Sequence, residues 1–166
     1  MVQSALSVES ARPEDYDRIA ELTVGVYVDG RLASEGYTPQ LADVAGRASR
    51  SELLVVRDAQ GGIVGSVALV LSGDFGEVTA SDEEAAFRML VVDPAARGQG
   101  VGQLLVSSCL DRARAAGKRS VVISTDPRMT TAHRLYERLG FSRLPERDWS
   151  PMPGSLRRGM AREAGV

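Results

Sequence analysis

A chain of 166 residues is long enough for one domain with a full hydrophobic core and too short for two ordinary domains. Its 43% hydrophobic and 25% charged residues exclude a disordered or collagen-like protein. The only cysteine, Cys109, excludes an internal disulfide, and together with the only histidine, His133, it offers too few ligands for a zinc site. We therefore expect no metal and a reducing, cytoplasmic compartment. Neither a membrane span nor a secretion signal is expected, because no apolar run is long enough and the first residues lack the signal pattern.

The net charge of −2 conceals two oppositely charged halves. Residues 1–93 contain 7 basic and 16 acidic side chains, whereas residues 94–166 contain 13 basic and 6 acidic ones. A basic half suits a small polyanion, and an acidic half suits a cationic substrate such as an amine. Nucleic acid is the weaker alternative, because aromatic residues make up only 5% of the chain and offer few stacking platforms. We expect no nucleic-acid partner.

Glycine and proline punctuation predicts a single mixed α/β domain over residues 1–166. The predicted elements are a strand at 6–8, a helix from Pro13, a weaker helix at 39–49, a hairpin of 53–56 with 63–71, a loop at 72–83, a strand at 87–92, a helix at 100–116, a strand at 121–123 and a helix at 130–139. Because no helix separates the strands between residues 53 and 92, the pattern is not that of a doubly wound fold.

The most informative segment is a strand from Met89 that runs through a glycine-rich turn into a helix. Glycines let the backbone approach a ligand, and the first amides of a helix point outward, unpaired, at the positive end of its dipole. Arg97 adds a positive charge, so the turn is a candidate diphosphate site. Val101-Gly102-Gln103 replaces the ending of a P-loop, and Gln103 stands where the dinucleotide fingerprint needs its third glycine. A structural turn without a ligand is the alternative.

Two segments carry a resemblance to a known family. The pattern Arg97-x-x-Gly100-x-Gly102 resembles the pyrophosphate-binding signature of the GNAT superfamily of acyl-CoA-dependent N-acyltransferases. Residues 132–141 resemble that family's C-terminal signature, in which Leu-Tyr-Glu on a helix precedes Gly-Phe. The resemblance implies a central, mostly antiparallel mixed sheet with a splayed parallel strand pair, flanked by about four helices. It also implies transfer of an acetyl group from acetyl-CoA to a primary amine of a small molecule or peptide, and a homodimer is one state to expect.

The resemblance further implies where the cosubstrate lies. Its pantetheine arm would pair with backbone groups of the strand before the turn, which suits an otherwise open strand edge. Its diphosphate would be held by backbone amides of the turn. The residues so implied are Leu90, Val91 and Val92 for the pantetheine arm, and Arg97, Gly98, Gln99, Gly100, Val101 and Gly102 for the diphosphate.

Tyr136 is the candidate general acid. Its place in the second segment corresponds to the family tyrosine that lies near the thioester sulfur, and a phenol can donate a proton at neutral pH. The alternative is a core tyrosine that packs the last helix. Glu137 follows directly and should point to solvent.

The candidate general base is less clearly marked. Many family members carry a glutamate 11 residues before the glycine pattern, and here that position is Ala86. Glu84 would face the same side of a continuous strand as Ala86, so it is the candidate base. The alternatives are a solvated acidic turn that includes Glu84, and a water chain or an amine of low pKa that makes a base unnecessary.

Other positions depart from the family pattern or have an ordinary explanation. Met129 stands where relatives often have an asparagine, and with Ala86 it motivates an alternative hypothesis, a catalytically silent acyl-CoA-binding module. His133 is expected at the rim rather than in a proton relay. Cys109 is expected to be a small buried hydrophobe rather than an acyl carrier.

The end of the chain is the least family-like part. Residues 154–160 contain two adjacent arginines and two glycines, a composition that disfavours a strand. The sequence therefore predicts a last strand that is short, frayed or absent, with residues 147–151 covering the cleft instead. Trp149 would either line the acceptor site or anchor the tail.

Overall fold

The computed structural model describes residues 6–30, 36, 38–72, 79–148 and 158–164, and it has the mixed α/β architecture that the sequence predicts. In chain order its elements are β1 (Ser7–Ser10), α1 (Tyr16–Val24), α2 (Thr38–Ala42), α3 (Val44–Ala48), β2 (Glu52–Arg57), β3 (Ile63–Val70), β4 (Glu84–Val92), α4 (Val101–Ala115), β5 (Ser120–Thr125), α5 (Thr130–Arg138), β6 (Ser142–Arg143) and β7 (Arg158–Glu163). Seven strands and five α-helices thus occur in the described ranges, with one more helix than expected because the segment at 39–49 forms two.

The chain divides into two compact units. The first unit lies within residues 1–69 and 89–108, and the second within residues 70–88 and 109–166. Both β4 and α4 contribute residues to each unit. No helix among the described residues is long and apolar enough to cross a membrane.

The first unit is built on an antiparallel arrangement of β1, β2 and β3. The predicted hairpin is confirmed, with a turn at Asp58 to Gly62 closed by the amide of Asp58 donating to the carbonyl oxygen of Gly62 at 2.9 Å. The predicted first helix begins as a 3-10 turn at Pro13–Asp15, continues as α1 and ends in a π-helical turn at Gly25–Asp29. Its helical spacing buries an apolar face in the core. That core consists of Ile19, Leu22, Val44, Leu53, Val55, Ile63, Ala68 and Val91.

The second unit has the strand order β4, β5, β7, β6. The β4 and β5 strands pair in parallel, whereas β7 is antiparallel to both β5 and β6. The parallel register runs only from Glu84 with Ser120 to Ala86 with Val122. Buried Val70, Ala86 and Val122 form the local core.

The predicted beginning of β4 was wrong by three residues. The strand starts at Glu84 rather than Phe87, so Glu84 lies in regular structure and not in a loop. Pairing with β5 draws this segment into the sheet, and Ala85, Ala86 and Phe87 are all buried. Because these three side chains are all small or apolar, the sequence shows no alternation of polar and apolar residues there. The beginning of β4 could therefore not be located from the pattern.

The prediction of a short, frayed or absent last strand was also wrong. The strand β7 has six residues and pairs with β5 along its whole length, from Arg158 with Thr125 to Glu163 with Ser120. Gly159 is needed there for close packing, because a Cβ at that position would lie 2.6 Å from Arg147 Cβ and 2.7 Å from the carbonyl oxygen of Leu144. Tertiary pairing therefore overrides the low strand propensity. Residues 149–151, including Trp149, fall outside the described residues.

Candidate functional site

The glycine-rich turn connects the end of β4 to the beginning of α4. After Val92 the chain forms a 3-10 turn at Pro94–Ala96, and Arg97 is extended, with φ −63° and ψ 146°. Asp93 begins this turn: its Oδ1 accepts the amide of Ala95 at 3.0 Å, and its own amide donates to the carbonyl oxygen of Val64 at 2.8 Å. Both bonds fix the course of the chain into the segment that follows.

Glycine is required in the turn by conformation rather than by space. Gly98 and Gly100 have φ values of +83° and +82°, in the left-handed region that side chains other than glycine rarely adopt. A Cβ built on either residue meets no atom within 4 Å. The backbone at both positions therefore faces open space, where a ligand can approach the main chain.

The turn presents its backbone amides at the positive end of α4. The amide of Leu104 donates to the carbonyl oxygen of Gly100 at 3.0 Å, so the amides before it have no acceptor within the helix. Residues 97–100 are exposed, Val101 is buried and Gly102 is half-buried. Val101 packs closely on β3, because a Cβ on Gly65 would lie 2.5 Å from its Cγ1. Amides without a helix acceptor, the positive end of a helix dipole and an arginine charge are the groups that anion sites in proteins commonly combine.

The strand before the turn has a local distortion that the sequence did not indicate. Met89 has φ 55°, a left-handed conformation that is unusual for a residue with a side chain. Distortions of this kind in strands are common next to active sites, where they redirect the backbone. Beyond it, Val91 is buried in the core of the first unit, whereas Leu90 and Val92 are half-buried.

A cleft of about 650 Å³ borders the turn in the first unit. Its walls combine apolar residues of α1 and the π-helical turn with acidic and basic side chains. They include Leu22, Val26, Val28, Arg18, Glu21, Asp29, Asp93 and Arg97. A π-helical turn inside a helix is rare and frequently marks a functional site.

Tyr136 is a buried residue of the second unit, with 4% of its surface exposed. Its ring packs against Phe87 and Phe141 at centroid distances of 5.7 and 5.8 Å, with the rings tilted. Gly140, with φ 93°, ends α5 and lets the chain turn back so that the amide of Phe141 donates to the carbonyl oxygen of Tyr136 at 2.9 Å. Packing and backbone bonds thus fix the direction in which this side chain points.

Glu84 has a partner at each carboxylate oxygen. Oε1 accepts the amide of Ala80 at 2.7 Å, and Oε2 lies 2.8 Å from Nη2 of Arg147. The glutamate side chain is 15% exposed and that of Arg147 is 28% exposed. The carboxylate thus joins the beginning of β4 to the turn at Pro145–Arg147, a role that sequence reasoning missed.

The remaining candidates have structural partners. His133 is half-buried, with Nε2 2.6 Å from Oγ1 of Thr125. Burial, followed by the positive charge of Arg158, lowers the pKa of His133, which favours the neutral ring. Cys109 is fully buried, as expected for a small hydrophobe. Among the described residues, no group of three or more histidine, cysteine or carboxylate side chains is placed to hold a metal ion.

Among the described residues, the parallel pair of β4 and β5 in a mixed sheet, and the strand that leads through a glycine turn into a helix, agree with the fold that the resemblance implied. The chain belongs to the Acetyltransferase (GNAT) family, whose model matches residues 12–141. It is therefore an enzyme of acetyl-CoA-dependent acetylation, which confirms the resemblance seen in the sequence and favours an enzyme over a silent binding module.

Individual relatives agree with this membership. Over 153 residues, the chain is 27% identical to the aminoglycoside N(6')-acetyltransferase type 1 of Stenotrophomonas maltophilia, covering 92% of this chain and 97% of the relative. The structure of a GCN5-related N-acetyltransferase from Kribbella flavida is 26% identical, with a TM-score of 0.72 over 96% of this chain and 98% of that one. A Salmonella typhimurium structure solved with its cofactor acetyl-CoA shares the fold at 22% identity, with a TM-score of 0.68 over 97% and 95% of the two chains.

Proposed function

We propose that the protein transfers the acetyl group of acetyl-CoA to a primary amine of a small molecule or peptide. The observation that carries this proposal is the turn at residues 97–102, where two glycines of positive φ present unpaired helix amides beside Arg97. A diphosphate is the anion that spans several such amides and also takes the fork of an arginine. The acyl donor of the family carries that diphosphate.

The pantetheine arm is assigned to the last part of β4. Its amide groups can pair with the backbone of Leu90, Val91 and Val92, in a strand whose parallel pairing with β5 ends at Ala86. Backbone groups without a strand partner are suited to an extended, amide-bearing ligand. The half-buried state of Leu90 and Val92 supports this assignment.

Tyr136 is assigned as the general acid. The nitrogen lone pair of the neutral amine attacks the thioester carbonyl carbon, a C–N bond forms, and the tetrahedral intermediate then expels the thiolate as the C–S bond breaks. The phenol of Tyr136 gives its proton to the leaving sulfur and recovers one from solvent. Its fixed ring supports the assignment, because a general acid works best when it is held in one direction.

Glu84 is assigned as the base that takes the proton of the attacking nitrogen, with water as the alternative acceptor. In the structure its Oε2 is held by Arg147, so the base role requires this oxygen to exchange the guanidinium for the substrate N–H. A carboxylate that only anchors the turn at Pro145–Arg147 would keep its partner. The two roles predict different values of kcat/KM for a glutamine variant, as described below.

The cleft beside α1 suggests where to begin the search for an acceptor. Most of its lining comes from residues 18–30, and it carries the exposed acidic side chains Glu21 and Asp29. Carboxylates favour a cationic acceptor, which agrees with the aminoglycoside specificity in the name of the Stenotrophomonas relative. An acceptor panel should therefore start with aminoglycosides and polyamines and end with peptide amines.

The proposal is tested by two measurements on the same preparation. Acetyl-CoA at about 100 times its dissociation constant should stabilise the protein by roughly 2.7 kcal/mol in a thermal unfolding experiment. Thiol release from acetyl-CoA should then increase with at least one amine of the panel. Stabilisation without thiol release for any amine would support the silent module, and no stabilisation would contradict the cofactor site itself.

A further inference from the structure

Arg18 reaches from α1 to the residue at which β4 gives way to the glycine-rich turn. Its Nη2 lies 2.8 Å from Oδ2 of Asp93 and 3.3 Å from the carbonyl oxygen of Ile63. Its Nη1 lies 2.9 Å from Oε1 of Glu21. The side chains of Arg18 and Asp93 are 36% and 26% exposed, so this ion pair is more shielded from water than an ordinary surface pair.

Asp93 divides its bonds between the helix and the turn. One carboxylate oxygen binds Arg18, while the other accepts the amide of Ala95 at 3.0 Å. Its carbonyl oxygen accepts the amide of Ala96 at 2.8 Å, and its amide binds Val64. Any rotation of the Asp93 side chain would therefore alter the beginning of the turn, and Arg18 is the group that resists this rotation from outside the turn.

We propose that Arg18 is a positioning residue for the diphosphate of acetyl-CoA. By holding Asp93 it fixes the direction of the amides that follow in residues 98–102. Direction matters because hydrogen bonds weaken steeply once the N–H···O angle falls below about 120°. This inference rests on the proposed function, since it takes the turn as the diphosphate site.

The arrangement requires an arginine rather than any cation. One terminal nitrogen of Arg18 serves two acceptors and the other serves Glu21, which uses the planar fork of the guanidinium. A lysine offers a compact ammonium on a flexible stem and cannot hold the three acceptors in the same geometry. Arg18→Lys should therefore bind coenzyme A more tightly than Arg18→Gln but more weakly than the wild type.

The test compares two ligands, of which only one carries the diphosphate and its 3′-phosphoadenosine. Dissociation constants of coenzyme A and of pantetheine, the same arm without the nucleotide, are measured by calorimetry for the wild type and Arg18→Gln. We expect Arg18→Gln to weaken coenzyme A about tenfold, because a small misplacement of positioned groups is costly. Pantetheine should bind as it does to the wild type, since it does not reach the turn.

Three further variants sharpen the test. Asp93→Asn keeps a side-chain oxygen for the amide of Ala95 but removes the charge that holds Arg18, so it should also weaken coenzyme A. The double variant should bind no more weakly than the weaker single variant, because both changes break one interaction. Arg114→Gln is the matched control: it removes the ion pair of Arg114 with Asp111 on the surface of α4 and should leave both affinities unchanged.

Each result has a separate meaning. Equal weakening of coenzyme A and pantetheine by Arg18→Gln would show a general structural role and overturn the inference. The inference would also be overturned if the wild type strongly prefers coenzyme A to pantetheine and Arg18→Gln binds coenzyme A as tightly as the wild type does. The proposed function would then stand. A wild type that binds the two ligands equally would contradict the proposed diphosphate site. If Arg18→Gln does not fold, Asp93→Asn carries the same comparison.

Discussion

The glycine-rich turn and the surroundings of Tyr136 differ in how tightly the protein packs around them. At Gly98 and Gly100 the main chain faces space with no atom within 4 Å of a Cβ position. Tyr136 is 4% exposed and is fixed by two aromatic neighbours. The turn depends on backbone conformation and the tyrosine depends on side-chain packing. Substitutions in the two regions should therefore separate cofactor affinity from turnover.

The largest effect is expected for Tyr136→Phe. The variant keeps the ring and its contacts with Phe87 and Phe141, and removes only the hydroxyl group that would donate the proton. Because a positioned general acid accelerates the reaction about 10²–10⁴-fold, kcat should fall by a factor in that range. The dissociation constant of coenzyme A should stay constant. Thiol release and calorimetry check the two parts. If Tyr136→Phe has the kcat of the wild type, Tyr136 is a core residue and not the general acid.

A smaller effect, on coenzyme A affinity and on the unfolding temperature, is expected for Gly100→Ala. An alanine at φ +82° costs about 1–2 kcal/mol, and the turn can relieve this strain only by moving its amides. A loss of 1.4 kcal/mol in binding raises the dissociation constant of coenzyme A about tenfold. Calorimetry of the purified variant measures it.

Gly61→Ala is the matched control for this prediction. Gly61 lies in the β2–β3 hairpin turn with φ +83°, and a Cβ there also meets no atom within 4 Å. It should lower the unfolding temperature as Gly100→Ala does and leave coenzyme A binding unchanged. If Gly100→Ala and Gly61→Ala bind coenzyme A with the same affinity, residues 97–102 do not hold the cofactor.

Glu84→Gln distinguishes a base from an anchor. If Glu84 accepts the proton of the amine, kcat/KM should fall in the variant, because the assigned proton acceptor is lost. If it only anchors the turn at Pro145–Arg147, kcat/KM should stay close to that of the wild type, and stability should fall by about 1 kcal/mol or less, as expected for a partly exposed pair. Thiol release measures kcat/KM, and an unchanged value would remove Glu84 from the mechanism.

The smallest effect concerns Asp148 and stability alone. A hydrogen bond from Arg143, followed by one from the amide of Gly159, lowers the pKa of Asp148 to about 2. Since this pKa lies below the unfolded value of about 3.9, its stabilising contribution is complete above that pH and is lost as the pH falls toward 2.

Asp148→Asn should accordingly show a shallower loss of stability than the wild type between pH 4 and pH 2. Denaturant midpoints across this range measure the difference, with Asp111→Asn as the control for an exposed ion pair. If the denaturant midpoints of Asp148→Asn and the wild type fall equally steeply with pH, the lowered pKa of Asp148 is not the cause of the acid sensitivity. Catalysis near pH 7 should be unaffected, in contrast to the Tyr136 and Gly100 variants.

Local sequence predicted the parts of the molecule that local chemistry determines. The spacing of Gly98 and Gly100 predicted the turn, because only glycine adopts positive φ without strain. Pro13 likewise predicted the beginning of the first helix, which starts there as a 3-10 turn. These features depend on few neighbours, so a pattern of residue types is enough to identify them.

Features that depend on distant residues were not predictable in this way. The Arg18–Asp93 pair joins positions 75 residues apart, and the Glu84–Arg147 pair joins positions 63 apart. The strand β7 forms although its residues disfavour strands, because β5 supplies a full-length partner. The left-handed Met89 also had no signal, since methionine has no preference for that conformation.

The most direct test of the central claim is a crystal structure of the protein with coenzyme A. We expect diphosphate oxygens within about 2.7–3.2 Å of backbone nitrogens in residues 98–102, with the Arg97 guanidinium beside them. A diphosphate bound to another part of the chain, with these amides facing only water, would contradict it.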